Sequence, residues 1–121
     1  KKWQKDIENL IYLLQNKFPE SPIYFTNMPP IKEFPAFTKI IKFVIGNFIE
    51  ILGSNLSKTI KDKQNVFYNK EIITLKTWSK RHHLSQNNSK IYFSDGVHPS
   101  ELTYKVWGKE MATFIAKKIK I

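Results

Sequence analysis

Two long stretches whose apolar residues recur every three or four positions flank one short run, Ile23-Tyr24-Phe25-Thr26, and this alternation constrains the fold more than any other feature. The first stretch carries Trp3, Ile7, Leu10, Ile11, Leu14 and Phe18 on one side of a helix that Pro19 ends. The second carries Phe37, Ile40, Ile41, Val44, Phe48, Ile51, Leu52 and Leu56. The run between them is β-branched and aromatic, bounded by Asn27 and Pro29-Pro30, and reads as a buried strand. Residues 29–35 read as loop, because prolines remove backbone donors and disfavour helix in the residue before them. Gly46 and Gly53 interrupt the second helix at about 1 kcal/mol each relative to Ala, which predicts a kink or a break.

Val66-Phe67-Tyr68 reads as a second strand, and residues 70–90 as mostly irregular, with a polar, asparagine-containing run at 85–90. A last helix is marked by Tyr104, Trp107, Met111, Phe114 and Ile115, with Ser100 as its N-cap and Glu101 in its first turn. Strands separated by helices predict an α/β fold with a parallel sheet covered on both faces. Two strands are few for such a sheet, since each must pair its backbone on both sides or leave an open edge. The first helix begins at a lysine pair with no capping residue. Both points lead to the expectation that further N-terminal strands precede residue 1. No repeat or linker divides residues 1–121, which read as one portion of a single domain.

The 121 residues are 41% hydrophobic and 25% charged, as in ordinary folded domains. The apolar run at 40–51 is broken by Lys42, Gly46 and Asn47 and falls short of the roughly 20 residues of a membrane span. No membrane span is expected. Neither is a secretory leader visible; the expectation is a soluble protein, with the cytoplasm as the default compartment. The absence of cysteine excludes disulfides, thiolate zinc and a cysteine nucleophile. A net charge of +10 raises the question of nucleic acid, but Arg81 is the single arginine, whereas phosphate and base recognition favours the guanidinium fork. Several lysines instead sit at predicted helix ends (Lys58 and Lys61; Lys117, Lys118 and Lys120), where cations meet the negative end of the helix dipole. No nucleic-acid partner and no cofactor are expected.

Asp95-Gly96-Val97-His98-Pro99-Ser100 places a carboxylate and an imidazole three residues apart, just before a helix start. That pairing is half of a nucleophile–base–acid triad. Neither a Gly-x-Ser-x-Gly elbow nor a Gly-Asp-Ser block is present to supply the attacking hydroxyl. Taken alone, the plainer reading is an Asp-Gly turn and a surface histidine. His82 and His83 read as loop or substrate-side residues. A zinc site built from them with His98 and Asp95 is disfavoured, because adjacent side chains point apart and the spacing matches no known pattern. Trp3, Trp78 and Trp107 read as core or groove aromatics, and Phe34 and Phe37 as loop anchors or the lining of an acyl pocket.

The segment Phe93-Ser94-Asp95-Gly96-Val97-His98-Pro99-Ser100, followed by Tyr104 and Trp107, resembles the last block of the SGNH hydrolases, also called GDSL-type esterases and lipases. Lys2-Trp3-Gln4-Lys5-Asp6, the Met28-Pro29-Pro30 turn and Glu33-Phe34-Pro35-Ala36 are similar to the middle of bacterial members, in the same order. The resemblance implies a flavodoxin-like three-layer α/β/α sandwich of which this chain is the C-terminal part. It implies a serine hydrolase that cleaves small carboxylic esters through an acyl-enzyme. His98 would be general base and then general acid, and Asp95 would orient it. The nucleophilic Ser in a Gly-Asp-Ser block, and the oxyanion donors in a Gly and a Gly-x-Asn-Asp block, would precede Lys1, so the chain alone is expected to be inactive. Thr103, where many members have Gly before the Tyr, departs from the pattern and is expected to be tolerated. The alternative is a non-catalytic binding or assembly module that recruits another strand, or a second copy, through the open edge of residues 23–26.

Overall fold

The computed structural model describes residues 1–84 and 88–119. Helix α1 (Lys2–Lys17) leads into strand β1 (Ile23–Phe25). A 3-10 turn (Ile31–Glu33) then precedes helix α2 (Lys39–Ile60), which returns the chain to strand β2 (Val66–Tyr68). Helices α3 (Leu75–Arg81), α4 (Ser89–Tyr92) and α5 (Glu101–Lys118) complete the chain. The strands pair in parallel, Ile23 with Val66, Tyr24 with Phe67 and Phe25 with Tyr68, joined through α2 as a βαβ unit. The molecule is therefore mixed α/β with a two-stranded parallel sheet.

Strand alternation sends side chains to two sides. Ile23, Phe25 and Tyr68 pack with Val66 against Ile11 of α1 and against Leu56 and Ile60 of α2. Tyr24 stacks on Phe67, with ring centroids 5.1 Å apart, and meets Phe114 of α5 edge-on. A second cluster gathers Phe34, Ile73, Leu75, Trp78, Tyr92, Phe93 and Val106 around the segment that leads into α5.

Several expectations need correction. The strand at 23–26 is half-buried rather than buried and stops at Phe25, because a two-stranded sheet leaves each strand one unpaired side among the described residues. Residues 29–35 contain the 3-10 turn, and α2 begins after Phe37, with Thr38 as its cap. Helix α2 runs unbroken through Gly46 and Gly53. Those glycines serve close approach instead: a Cβ at Gly46 would collide with Cγ of Lys32, and one at Gly53 would lie 2.7 Å from the Tyr68 hydroxyl. Residues 70–90 are more ordered than expected, since α3 and the start of α4 lie there; Ser85, Gln86 and Asn87 of that polar run, and Lys120, fall outside the described residues. On α5 the buried positions are Thr103 and Val106, while Tyr104 is exposed.

Candidate active site

Asp95 and His98 occupy the loop between α4 and α5, and hydrogen bonds across its base fix the loop. Phe93 and Pro99 form an isolated antiparallel bridge, and the Ser100 amide donates to the Tyr92 carbonyl at 2.8 Å. Ser100 caps α5 by accepting from the Thr103 amide at 3.3 Å, while its hydroxyl donates to the Ile91 carbonyl at 2.7 Å. Thr103 is fully buried and donates to the Tyr92 carbonyl at 2.6 Å. Thr103 is thus a second anchor for the same loop. Gly96 has φ of +89°, and its carbonyl accepts from the Ala36 amide at 3.2 Å, seating the turn on the segment after the 3-10 turn.

Within that frame the two side chains meet. Asp95 Oδ1 accepts from the backbone amides of His98 at 2.7 Å and Val97 at 3.0 Å, and Oδ2 lies 2.5 Å from His98 Nδ1. The His98 amide, then its imidazole, then the Val97 amide hold the Asp95 carboxyl well below the usual carboxylate range. A carboxylate on Nδ1 favours the tautomer that keeps its proton there and leaves Nε2 as the basic atom. The His98 side chain is 80% exposed, so that nitrogen is open to a reacting group. Among the described residues no serine hydroxyl is bonded to it.

The other singled-out residues lie elsewhere. His82 pairs with Glu110 at 3.1 Å, and His83 sits in a left-handed turn conformation with φ of +54°. Among the described residues, no group of His, Cys, Asp and Glu side chains is arranged to hold a metal ion. Trp78 is buried and donates to Glu110 at 2.8 Å. Trp107 donates to Thr26 and Asn27, each at 3.1 Å. Trp3 packs at the edge of the core around Ile11. Phe34 is buried against Phe93 with centroids 4.6 Å apart, and Phe37 packs on Phe34, so both anchor the loop that supports Gly96.

No family model, curated protein or solved structure matches this chain. The geometry of the Asp95–His98 loop is accordingly the main functional evidence that the fold itself provides.

A cavity of about 510 Å³ opens past the carboxyl ends of β1 and β2, between the Met28-Pro29-Pro30 turn, α2 and the segment leading to α3. Ligands of parallel α/β sheets bind on this side. None of residues 93–98 lines the cavity, and most of its charged groups are engaged: Lys32 with Glu50 at 2.6 Å, Glu71 with Arg81, and Glu33 with the Leu75 amide at 2.7 Å. The hollow is lined by no histidine, whereas the loop brings an imidazole onto a carboxylate. Asn27, which sequence reasoning passed over as a strand boundary, is a buried junction: its amide donates to the Glu71 carbonyl at 3.0 Å and its oxygen accepts from Trp107. A polar residue at the end of an apolar strand was its one local sign.

Proposed function

We propose that this chain carries the base and orienting carboxylate of a serine hydrolase that cleaves carboxylic esters through an acyl-enzyme. The observation that carries the reading is the 2.5 Å contact between Asp95 Oδ2 and His98 Nδ1, with Nε2 left open on an 80% exposed ring. His98 takes the proton of an attacking serine hydroxyl and returns it to the leaving alcohol, while Asp95 fixes the tautomer and stabilises the imidazolium. If the resemblance to SGNH hydrolases holds, that serine and the oxyanion donors would lie N-terminal to the residues present, within a flavodoxin-like sandwich of which β1 and β2 would be the last strands. The side chains of the two strands, divided between α1 with α2 and α5, are consistent with a layered arrangement of that kind.

The test compares this chain with a polypeptide that extends upstream through a Gly-Asp-Ser block, both assayed on p-nitrophenyl acetate. The longer protein should turn over, the chain alone should not, and His98→Ala in the longer protein should abolish turnover. Undiminished activity of that variant would reject the role. A second reading, assembly through strand addition, draws on the unpaired sides of β1 and β2. It requires a concentration-dependent oligomer in size exclusion, with amide protons of residues 23–25 slowed in hydrogen exchange.

A further inference from the structure

We propose that the cavity between α2 and the segments after β1 and β2 is a binding site for a small aliphatic carboxylate. At about 510 Å³ it falls within the range of about 300–1,000 Å³ usual for small-molecule sites. Met28, Pro30, Ile31, Ile49 and Ile73 give it apolar walls. Its polar groups are of two kinds. Glu50 is held by Lys32, Glu71 by Arg81 and Glu33 by the Leu75 amide, so these charges are already answered within the protein. The hydroxyls of Tyr68, Ser54 and Ser57 and the ammonium of Lys70, which is exposed at the rim, make no hydrogen bond or ion pair among the described residues. Burial pushes the Tyr68 pKa up, so the phenol stays protonated and can donate. Hydroxyl donors and a free cation around one apolar hollow suit an acceptor that carries negative charge, because hydrogen bonds to a carboxylate are the stronger kind. An aliphatic tail suits the remaining walls.

A segment upstream of Lys1, which the proposed function requires, would not fill this hollow. All of its lining falls within residues 27–74, the βαβ unit and the segment that follows it. An added strand would pair along the open side of β1 or β2, whereas the cavity lies beyond their carboxyl ends, where ligands of such sheets bind. Helix α2 is long and apolar enough to cross a membrane, and its exposed Ile40, Val44, Phe48 and Ile51 form an outer side that another segment can cover. At 3.6 residues per turn those four stand opposite Gly46, Ile49, Gly53 and Ser57, which line the cavity. Whatever covers the outer side of α2 therefore leaves the inner one as it is. The inference goes beyond ester hydrolysis and does not depend on it, since none of residues 93–98 takes part.

The experiment is isothermal titration of this chain with octanoate, octan-1-ol and octylamine. Octanoate should bind as a single molecule per chain and at least about tenfold tighter than the alcohol or the amine. Tyr68→Phe keeps the ring and should weaken octanoate about tenfold, while Lys70→Gln should remove its advantage over the alcohol. Ile49→Trp fills the hollow and should abolish binding, with circular dichroism checking the fold. Phe48→Glu, on the outer side of α2, should bind octanoate as the wild type does. Four results would overturn the proposal: no octanoate bound, the alcohol or the amine bound as tightly, Tyr68→Phe and Lys70→Gln both equal to wild type, or binding lost in Phe48→Glu and kept in Ile49→Trp. His98→Ala should titrate as wild type does, so a failure of ester hydrolysis and a failure of the carboxylate site are read on separate assays.

Discussion

Asp95 divides its two oxygens between the turn and the imidazole. Oδ1 closes the turn by accepting two backbone amides, and Oδ2 holds the imidazole. Asp95→Asn keeps an acceptor for the turn but loses the charge that selects the Nδ1-protonated tautomer. In the hydrolase proposed above kcat should therefore fall by about 10⁴-fold with little change in Tm, measured by steady-state assay and thermal unfolding. Gly96 should behave in the opposite way. Its φ of +89° is strained for any side chain, and a Cβ would stand 2.7 Å from Cβ and 2.9 Å from N of Ala36, a backbone neighbour that cannot swing aside. Gly96→Ala should cost about 1–3 kcal/mol, read as a lower Tm, and should reduce activity as well, since Asp95 and Val97 flank it. The sequence showed the Asp95–His98 spacing and the turn glycine, and the fold brings that pair into contact. What the letters could not give was the seat on Ala36, a contact across about 60 positions that only the folded chain creates.

At the scale of elements, α5 offers a clean test of helix propensity. Gly108 lies inside it, exposed, and a Cβ there would meet nothing within 4 Å. Gly108→Ala should stabilise the protein by about 1 kcal/mol, measured as a higher denaturant midpoint with an unchanged slope. The long helices were readable because their apolar periods extend over enough positions to stand out, and the strands because β-branched and aromatic residues are concentrated in them. Helix α3 was not, for a physical reason: seven residues cannot show a stripe, and one donor of its first turn is satisfied from far away. The Leu75 amide donates to Glu33 at 2.7 Å, a capping carboxylate that arrives from the 3-10 turn, while Thr74 accepts from Thr77 at 3.1 Å. Gly46 and Gly53 misled in the other direction. Read locally they weaken a helix, whereas in the fold they admit Lys32 and Tyr68 against it. The Tyr68 hydroxyl lies against Gly53, and partial burial pushes its pKa up.

Over the whole molecule two apolar clusters must act as one, and polar residues make the joint. Glu110 of α5, its side chain only 8% exposed, accepts from Trp78 at 2.8 Å, Arg81 at 2.6 Å and His82 at 3.1 Å. Arg81 also pairs with Glu71, whose carbonyl is held by Asn27 at the end of β1. The clamp thus ties α3 and α5 to the sheet. Burial alone would raise the Glu110 carboxyl, but donation from Trp78, His82 and Arg81 outweighs it and leaves the group below its ordinary value of 4.5. A carboxyl depressed in the fold stabilises it fully above the unfolded-state pKa, and that contribution disappears as pH falls through the folded value. Acidification below about pH 4.5 should therefore loosen the joint between the clusters. Glu110→Gln keeps the shape and removes the charge. It should cost about 1–3 kcal/mol at neutral pH and flatten the acid limb of stability against pH, measured by urea unfolding from pH 7 downward. An acid limb as steep in the variant as in the wild type would locate the acid-sensitive joint elsewhere.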